Sequence, residues 1–553
     1  MNEEVKEIKN VNNLLELKNL LLEAKINGEL VKNIIVDEGS VVGLDLESQG
    51  EIKIENNLVV EFETNLDEWY VSFLFNDSSS LGMAFLGSEV GININVNLNP
   101  FNSAPLAAQA SIETPLNGMF RIRIVGQDGE FSDIVTSTTE VKTKHELDIL
   151  GLYAGFENIV EFTFLSPKGD ERLTVVRMIN TDSLPDGFPE FEIVRQYETE
   201  EKNVVFLVNF RPTGIPFMVD RFGKIRWYST GFSEGAKYAL QRFKNGNMGF
   251  GKGGNGQGSI FEYSITGELI KEYSFYPEFE NAHHDVYEMS NGNFIVPVNK
   301  VGEPTVEDYV IELDRNSGAT TNVWDLNLIL PKRDTLWNNP VDWVHVNAVI
   351  HDERDNSIIV SGQRQGLFKV SWDNQLIWIM APPYDWEGYE DYLLTSSDEN
   401  MEWNWGQHAP LITPKGNLLF FDNGFGRGFG TSAKFSRAVE MQIDENEIGG
   451  TVKTIWEYGK DRGEAFYSPI ISDVDYLEES DTRLIIAGSL GFNHEYIDKD
   501  NINNSWSNDF LRSKIVEVDA NQNVLFELNI NSDITNNGVP NSSVYRAEKL
   551  KLY

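Results

Sequence analysis

The sequence predicts an all-β protein in which a short N-terminal helix precedes a β-sandwich domain and a six-bladed β-propeller. The chain has 553 residues, which is more than one ordinary domain holds. Short runs that alternate between apolar and polar residues fill its first third, and two turn motifs recur in a fixed order through the remainder. The chain is 41% hydrophobic and 12% aromatic, which is enough to build packed cores.

The N-terminal elements are predicted from hydrophobic periodicity. Residues 1–29 are predicted to form one amphipathic helix, because apolar side chains recur at helical spacing over residues 5–27 and Gly28 follows them as a typical C-cap. This helix either packs on its own domain or forms a dimer contact. Residues 30–190 lack the helical period and contain alternating runs such as 68–75, a pattern typical of an antiparallel β-sandwich. Pro and Gly residues at 184–190 indicate a linker.

Residues 191–553 are predicted to form the propeller because two kinds of turn alternate along them. A turn of the form Asp-x-x-Gly, or a relaxed version of it, begins at Asp220, Ser264, Asp314, Asp373, Asp444 and Asp519. A second turn lies between successive copies and begins at Asn245, Asn291, Asp355, Lys415 and Asp481. Two hairpin turns in each unit predict a four-stranded blade, and six such units predict a radially closed propeller. The alternative is a long sandwich or a solenoid.

Composition and charge restrict the function. The 45 Lys and Arg residues against 86 Asp and Glu residues give a formal net charge of −41, which argues against binding along nucleic acid. An anionic substrate therefore needs a locally positive pocket. The chain has no Cys, so disulfides, thiolate metal sites and cysteine nucleophiles are excluded. No apolar run predicts a membrane span. The first residues lack an export signal, so we expect either a cytoplasmic chain or one whose leader has been removed.

Three of the seven histidines occupy equivalent positions in the repeat. His284 and His408 each precede by nine residues the residue that closes the second kind of turn in their blade, and His345 precedes it by twelve. The nine-residue offset in another blade reaches Tyr238. Equivalent positions near the start of the inner strands form one ring around the propeller axis. We therefore predict that these side chains converge at one mouth of the axial channel. In an extended strand only one of His283 and His284 can face that channel, and the repeat favours His284.

Three further residues are candidates beside these rings. Asn347 alternates with His345 in an expected strand, so that the amide and the imidazole face one bound group. Arg364 is either a surface arginine or an anion clamp. Arg427 lies in a glycine-rich segment that is either an ordinary blade loop or a contributor to the site. Three imidazoles can also bind a metal, but the spacing matches no metal motif and shows no acidic partner, so we predict no metal and no cofactor.

Several motifs in these segments are recognisable together. They are residues 342–347, 355–361, 407–408, 421–424 and 436–440 of the propeller, with residues 99–106 of the sandwich. They resemble the bacterial arylsulfate sulfotransferases, which do not use a nucleotide sulfate donor. The resemblance implies a sandwich joined to a six-bladed propeller, a homodimer, and a location outside the cytoplasm in the periplasm, on the cell surface or in the medium.

The resemblance also implies a reaction. In such enzymes an aryl sulfate passes its sulfuryl group to a histidine in a ping-pong mechanism, and a second phenol then collects it. His408 matches the nucleophile, His345 and Asn347 match the residues that hold the sulfuryl oxygens, and the pair at 283–284 matches another site histidine. Either His284 or His345 is expected to supply the proton for the leaving phenol.

The arginine of the family motif is displaced in this sequence. In register with His345 it falls on Gln363, and Arg364 follows one residue later. In a strand such a slip turns a side chain to the opposite face. Either a bulge restores Arg364 to the site, or the clamp is altered. The residues alone also leave open a non-catalytic ligand-binding or interaction propeller and a metal-dependent hydrolase.

Overall fold

The computed structural model describes most of the chain from residue 92 onward and six strands before it. The described ranges are 92–165, 167–169, 171–198, 201–231, 240–254, 257–333, 339–430, 434–493, 507–536 and 539–553. The predicted helix at 1–29 and the candidate residue Tyr238 lie outside the described residues. Among the described residues, no helix has the length and apolarity that crossing a membrane requires.

The six N-terminal strands form two antiparallel sheets. One sheet pairs Asn33–Ile35 with Val41–Gly43. The other contains Ile52–Ile54, Leu58–Asn65, Glu68–Phe75 and Ser80–Phe85, in that order. The alternating run at Glu68–Phe75 is therefore a strand, as its period predicts.

The second part of the N-terminal region is a sandwich built around one long strand. Its strands are Asn93–Leu98, Ala107–Ile124, Ile134–Ser137, Lys142–Leu150, Glu157–Leu165 and Glu171–Asn180, with a 3-10 turn at Glu130–Ser132. The first half of Ala107–Ile124 pairs with Asn93–Leu98 and Lys142–Leu150, and its second half pairs with Ile134–Ser137 and Glu157–Leu165. Because one strand serves both pairings, alternate residues such as Phe120 and Ile122 are buried between them.

Six sheets of the propeller confirm the predicted number of blades. Blade 1 contains Val544–Lys551, Val204–Phe210, Phe217–Asp220 and Ile225–Tyr228. Blade 2 contains Gln241–Arg242, Met248–Gly254, Gln257–Tyr263 and Leu269–Ser274. Blade 3 contains Tyr287–Glu288, Phe294–Lys300, Tyr309–Leu313 and Thr320–Asp325, with Phe279–Glu280 beside the second strand.

The remaining three blades follow in chain order. Blade 4 contains Val346–Asp352, Ser357–Gly362, Gly366–Ser371 and Leu376–Met380. Blade 5 contains His408–Ile412, Leu418–Asp422, Arg437–Glu445 and Gly450–Tyr458, with Leu394–Thr395 parallel to the last strand. Blade 6 contains Asp473–Leu477, Thr482–Asn493, Ser507–Val518 and Val524–Asn531. Short 3-10 helices at Leu326–Leu328, Glu390–Tyr392, Arg427–Gly430 and Lys460–Phe466 and a small hairpin of Thr535–Asn536 with Val539–Pro540 complete the described elements.

The two turn motifs have fixed places in the blades. The turns of the Asp-x-x-Gly type connect the third and fourth strands, and the second kind of turn connects the first and second strands.

Both ends of the propeller segment are held in sheets. The C-terminal strand Val544–Lys551 completes blade 1, and Glu190–Arg195 pairs with the outer strand of blade 6. This double closure hides the sheet edges that an open wheel would expose.

The core lies between neighbouring blades, so the second strands are apolar on both faces. Val204–Phe210 and Ser357–Gly362 are buried at every residue. The sandwich is joined to blade 1 by the fully buried Arg226, which donates hydrogen bonds to Gly151 O and Ser132 O and pairs with Asp220 at 3.0 Å. These contacts hold the sandwich against the outer part of the propeller.

Candidate functional site

The candidate histidines lie where the chain enters the inner strands of three consecutive blades. His284 and His345 have φ values of 62° and 55°, and Ala409, the residue after His408, has a φ of 51°. These values lie in the left-handed region that residues other than glycine seldom adopt. The chain therefore changes direction at each entry, and the strand alternation assumed from the sequence does not apply there.

Ring contacts gather the imidazoles around a tyrosine that the sequence analysis did not find. The ring centroids of His284 and His345 are 4.9 Å apart, and those of His283 and His284 are 5.1 Å apart. The Tyr545 ring lies 6.1 Å from His284 and 6.3 Å from His408. Tyr545 belongs to the C-terminal strand of blade 1, so four blades contribute to one cluster.

The imidazole of His408 is held in one tautomer. Its Nδ1 lies 2.7 Å from Asn423 Oδ1 and 3.1 Å from Gly406 O. The amide of Asn423 is itself oriented, because its Nδ2 donates to Ser468 O at 2.8 Å and to Ile471 O at 2.6 Å. Both atoms that face Nδ1 are acceptors, so Nδ1 carries the hydrogen and Nε2 keeps its lone pair.

The environment also keeps His408 neutral. Burial lowers its pKa to about 3, against the opposing effect of the hydrogen bond to Asn423, and the nearby charge of His345 lowers it further. At neutral pH the ring is therefore uncharged, with its free lone pair on Nε2. A neutral imidazole in this tautomer is a competent nucleophile.

His345 has the opposite electrostatic character. Its Nδ1 lies 2.6 Å from Glu307 Oε2 and 2.9 Å from Asp342 Oδ2. Burial lowers its pKa, but the two carboxylates outweigh burial and raise the pKa of His345 to about 9. The sequence-based statement that the histidines have no acidic partner is therefore wrong. It failed because Glu307 comes from the preceding blade, and because the chain folds Asp342 back over His345 from three residues away.

Arg364 reaches this group through a turn. Residues 363–365 connect Ser357–Gly362 to Gly366–Ser371, so the one-residue slip from Gln363 does not change the face of a strand. Arg364 Nη2 lies 2.6 Å from Asp342 Oδ2, and Arg364 Nη1 donates to the backbone carbonyl of Asp342. Gln363 uses its backbone N–H to bind His345 O at 3.0 Å. The predicted bulge is therefore not what brings Arg364 to this group, because a turn between two strands does so.

Asn347 enters the cluster through a bulge. Val346 pairs with Gly362 and Ala348 with Ser361, which are consecutive partners, so Asn347 has no partner in the ladder. Its Nδ2 donates to Gln407 O at 2.8 Å, the carbonyl that precedes His408. Strand alternation is the wrong reason for expecting Asn347 beside His345. The strand begins at Val346, and the backbone of His345 has a left-handed conformation.

His283 and His284 both belong to the cluster. Their Nδ1 atoms are 3.0 Å apart, and His284 Nδ1 lies 4.0 Å from Glu307 Oε2. Burial lowers the pKa of both imidazoles. The His284 ring contacts His345 and Tyr545, whereas His283 packs behind it. The choice of one histidine by strand alternation does not apply, because His284 is not extended.

Two protein-family models match most of the propeller and of the sandwich. The family model described as arylsulfotransferase (ASST) matches residues 190–546, and the arylsulfotransferase Ig-like domain model matches residues 95–181. The chain belongs to the arylsulfotransferase family. The first match covers the blades that carry the histidine cluster, and the second covers the sandwich.

Two curated relatives of this family member are arylsulfate sulfotransferases named AssT. The one from Escherichia coli is 31% identical over 347 residues, which are 50% of this chain and 57% of the relative. The one from Lelliottia amnigena is 30% identical with the same coverage. The alignment thus spans little more than half the length of either relative. Among solved structures, virginiamycin B lyase from Staphylococcus aureus matches with 10% identity and a TM-score of 0.28, covering 61% of this chain and 88% of that chain, a likeness too distant to support any inference.

Arg427 of this family member pairs with Asp422, the residue before Asn423. Its Nη2 lies 2.7 Å from Asp422 Oδ2, and its Nη1 donates to Trp403 O at 2.9 Å. Arg437 binds the same carboxylate at 3.0 Å. These buried ion pairs stabilise the segment that presents Asn423 to His408. A contact between Arg427 and substrate stays a prediction.

Two overlapping groups of side chains in the cluster have the composition of cation ligands. One is His283, His284 and Glu307, and the other is Glu307, Asp342 and His345, and the donor atoms in each group lie within 4.8 Å of one another. Imidazole and carboxylate donors of this kind suit zinc and related ions. Arg364 competes for Asp342, because its guanidinium is already 2.6 Å from that carboxylate.

An acidic cavity lies in the channel behind the cluster. It has a volume of about 370 Å³, and Ala409, Asp285, Asp473, Arg546 and Glu548 are among the residues that line it. Arg546 pairs with Asp285 at 2.9 Å. Burial raises the pKa of Asp473 to about 6 and that of Glu548 to about 7, while Arg546 opposes both shifts. The positive groups around His345 and this acidic cavity therefore occupy different levels of the channel.

Proposed function

We propose that the protein is an aryl sulfotransferase that moves a sulfuryl group from an aryl sulfate to a phenolic acceptor through a sulfohistidine on His408. The observation that carries this proposal is that His408 Nδ1 faces two acceptors, Asn423 Oδ1 and Gly406 O, an arrangement that assigns the hydrogen to Nδ1 and the lone pair to Nε2. The membership of the chain in the arylsulfotransferase family supports the same reaction class.

In the first step the lone pair of His408 Nε2 attacks the sulfur of the aryl sulfate. The N–S bond forms as the bond between sulfur and the aryl oxygen breaks, and that electron pair leaves on the phenolate. The ring becomes a cationic N-sulfonated imidazole whose Nδ1–H still donates to Asn423. By analogy with phosphoryl transfer, positioning and fixed donors to the equatorial oxygens supply most of the rate.

The imidazolium of His345 and the guanidinium of Arg364 are the positive groups that we assign to the sulfuryl oxygens. They are linked through Asp342, which lies 2.9 Å from His345 Nδ1 and 2.6 Å from Arg364 Nη2. That carboxylate orients both donors, because it binds Nδ1 of His345 and Nη2 of Arg364. Asn347 donates to the carbonyl of Gln407, the residue before His408, and we assign it to the sulfuryl oxygens as well.

The charges of His345 and His284 indicate which of them donates a proton and which accepts one. His345 is protonated at neutral pH, so it is our candidate for donating a proton to the departing phenolate. His284 is held neutral by burial and is our candidate for accepting the proton of the second phenol. In the second step that phenol oxygen attacks sulfur, the N–S bond breaks, and the electron pair returns to His408 Nε2. The proton taken up by His284 then passes to His345, whose ring centroid is 4.9 Å away, so both histidines return to their starting states. No cofactor enters either step.

The test measures the intermediate and the transfer separately. Incubation with 4-nitrophenyl sulfate alone should add one SO3 group to the intact protein, and addition of phenol should then sustain nitrophenol release. His408→Ala should show neither. His351→Gln is a matched control, because His351 is a buried histidine of blade 4 that binds Asn356 outside the cluster. Equal turnover by His408→Ala would remove His408 from the nucleophile role.

The same experiment separates the alternatives. A ligand-binding propeller would bind aryl sulfate without releasing nitrophenol. A metal-dependent hydrolase would release nitrophenol without phenol and would stop when a chelator is added. The homodimer and the location outside the cytoplasm that the family resemblance implies remain predictions, to be tested by solution mass and by fractionation.

A further inference from the structure

The mouth of the channel contains carboxylates, although negatively charged groups repel an anion rather than attract it. Glu307 Oε2 lies 2.6 Å from His345 Nδ1 and 4.0 Å from His284 Nδ1, so its charge lies between two of the clustered imidazoles. Only 16% of the Glu307 side chain is exposed. Solvent therefore screens this negative charge little, and any anion held by the cluster is exposed to its field.

The backbone holds Glu307 in place. Its φ is 58°, a left-handed value for a residue other than glycine. Its N–H donates to Asn299 Oδ1 at 2.8 Å, and its carbonyl accepts from Val346 N at 3.0 Å. A strained conformation of this kind persists where surrounding contacts determine it, and such residues concentrate at functional sites. The position of the carboxylate is thus fixed relative to blade 4.

The four charged groups that pair around His345 balance one another in charge. Two groups are positive, His345 and Arg364, and two are negative, Glu307 and Asp342. Further down the channel, Arg546 is paired with Asp285. His283, His284 and His408 are neutral, since burial lowers the pKa of each. A sulfate monoester adds one negative charge to this balanced set, whereas a phosphate monoester at neutral pH adds nearly two.

We propose that Glu307 is a specificity-determining residue that limits the mouth to singly charged esters, so that the site takes aryl sulfates and rejects aryl phosphates. Repulsion of the second charge by a nearly buried carboxylate a few ångströms away weakens dianion binding by about 10- to 100-fold relative to a monoanion of the same shape. The inference rests on the proposed function in placing the ester group at His408 and His345.

Direct binding tests this inference without turnover. Calorimetric titration at pH 7 compares benzenesulfonate, a monoanion, with phenyl phosphate, mostly a dianion. Wild type should favour benzenesulfonate, and Glu307→Gln should reduce that preference by about 10- to 100-fold, through tighter phosphate binding. Asp342, whose Oδ2 lies 2.9 Å from His345 Nδ1, is unchanged in this variant and still stabilises the imidazolium. Glu303→Gln, an equal charge change at an exposed position of the same loop, should leave the preference unchanged.

A second measurement on wild type keeps the inference testable if Glu307→Gln does not fold. Phenyl phosphate becomes a monoanion as the pH falls from 7 to 5, because its second pKa is about 6. Its affinity should rise toward that of benzenesulfonate, whose own affinity serves as the control. An unchanged preference in a folded Glu307→Gln protein, or a phosphate affinity that does not rise at pH 5, would overturn the inference. Loss of sulfuryl transfer with the preference intact would contradict only the proposed function.

Discussion

Asn423 Oδ1 lies 2.7 Å from His408 Nδ1 and decides which nitrogen of that ring is free to react. The amide is locked by two donations from its Nδ2 to the backbone carbonyls of Ser468 and Ile471 in the approach to blade 6. Blade 6 therefore fixes the tautomer of a histidine in blade 5. A contact between two neighbouring blades thus becomes part of the proposed chemistry.

Asn423→Leu should lower sulfuryl transfer by at least about 10²-fold, because Nδ1 loses its acceptor and the reactive tautomer is no longer favoured. The measurement is the rate of sulfohistidine formation in a single turnover. Asn417→Leu is the matched control, since Asn417 is a buried asparagine of blade 5 that binds Glu440 rather than His408. A normal single-turnover rate in folded Asn423→Leu would show that the tautomer is set by other contacts.

The pH profile of transfer should have an alkaline limb near pH 9 and should not report His408 in the neutral range. His345 is protonated below its pKa of about 9, so its donor is lost as the pH rises through that value. His408, with a pKa of about 3, stays neutral over the whole range. Asp342→Asn should move the alkaline limb to lower pH, because one of the two carboxylates that stabilise the imidazolium is removed. A limb at the same pH in this variant would exclude His345 as its source.

Arg364, rather than Gln363, is expected to act on the sulfuryl group. Arg364→Gln should lower kcat/KM by about 10²–10³-fold, the usual cost of losing a fixed donor in the transition state. Gln363→Ala should have a small effect, because Gln363 contributes its backbone N–H to His345 O and alanine keeps that donor. If Gln363→Ala were the more damaging change, the strand register inferred from the sequence would be the better guide to the clamp.

The sequence predicts the architecture well because its blades are defined by local turns. Asp220 and Asp314 illustrate this, since each begins a turn between the third and fourth strands of its blade. The repeat also selects His284, His345 and His408, because equivalent positions in a closed propeller meet at the axis. Periodicity and turn chemistry are thus enough where the structure is determined by neighbours in sequence.

The remainder of the site depends on contacts between distant segments. Tyr545 enters from the last strand and Glu307 from the loop between the second and third strands of blade 3, and neither carries a motif. Strand alternation also fails at His345, since its left-handed φ is determined by the tertiary surroundings. The motif at residues 342–347 itself contains the carboxylate of Asp342, three residues before His345, which the sequence-based prediction overlooked. A search for acids close in sequence to each candidate histidine would have found that partner.

The acidic cavity predicts how stability depends on pH. The pKa of Glu548 is raised to about 7, chiefly by burial and against the hydrogen bond from Arg242 N, so the folded state favours the protonated carboxyl. Stability from this group is present below its ordinary pKa near 4.5 and is lost as the pH rises through 7. Glu548→Gln should therefore raise the free energy of unfolding at pH 8 by about 1–3 kcal/mol and change it little at pH 4.5. Urea denaturation at the two pH values measures this difference, with Glu478→Gln as an exposed control. Equal stabilisation at both pH values would mean that packing, rather than the charge of Glu548, is responsible.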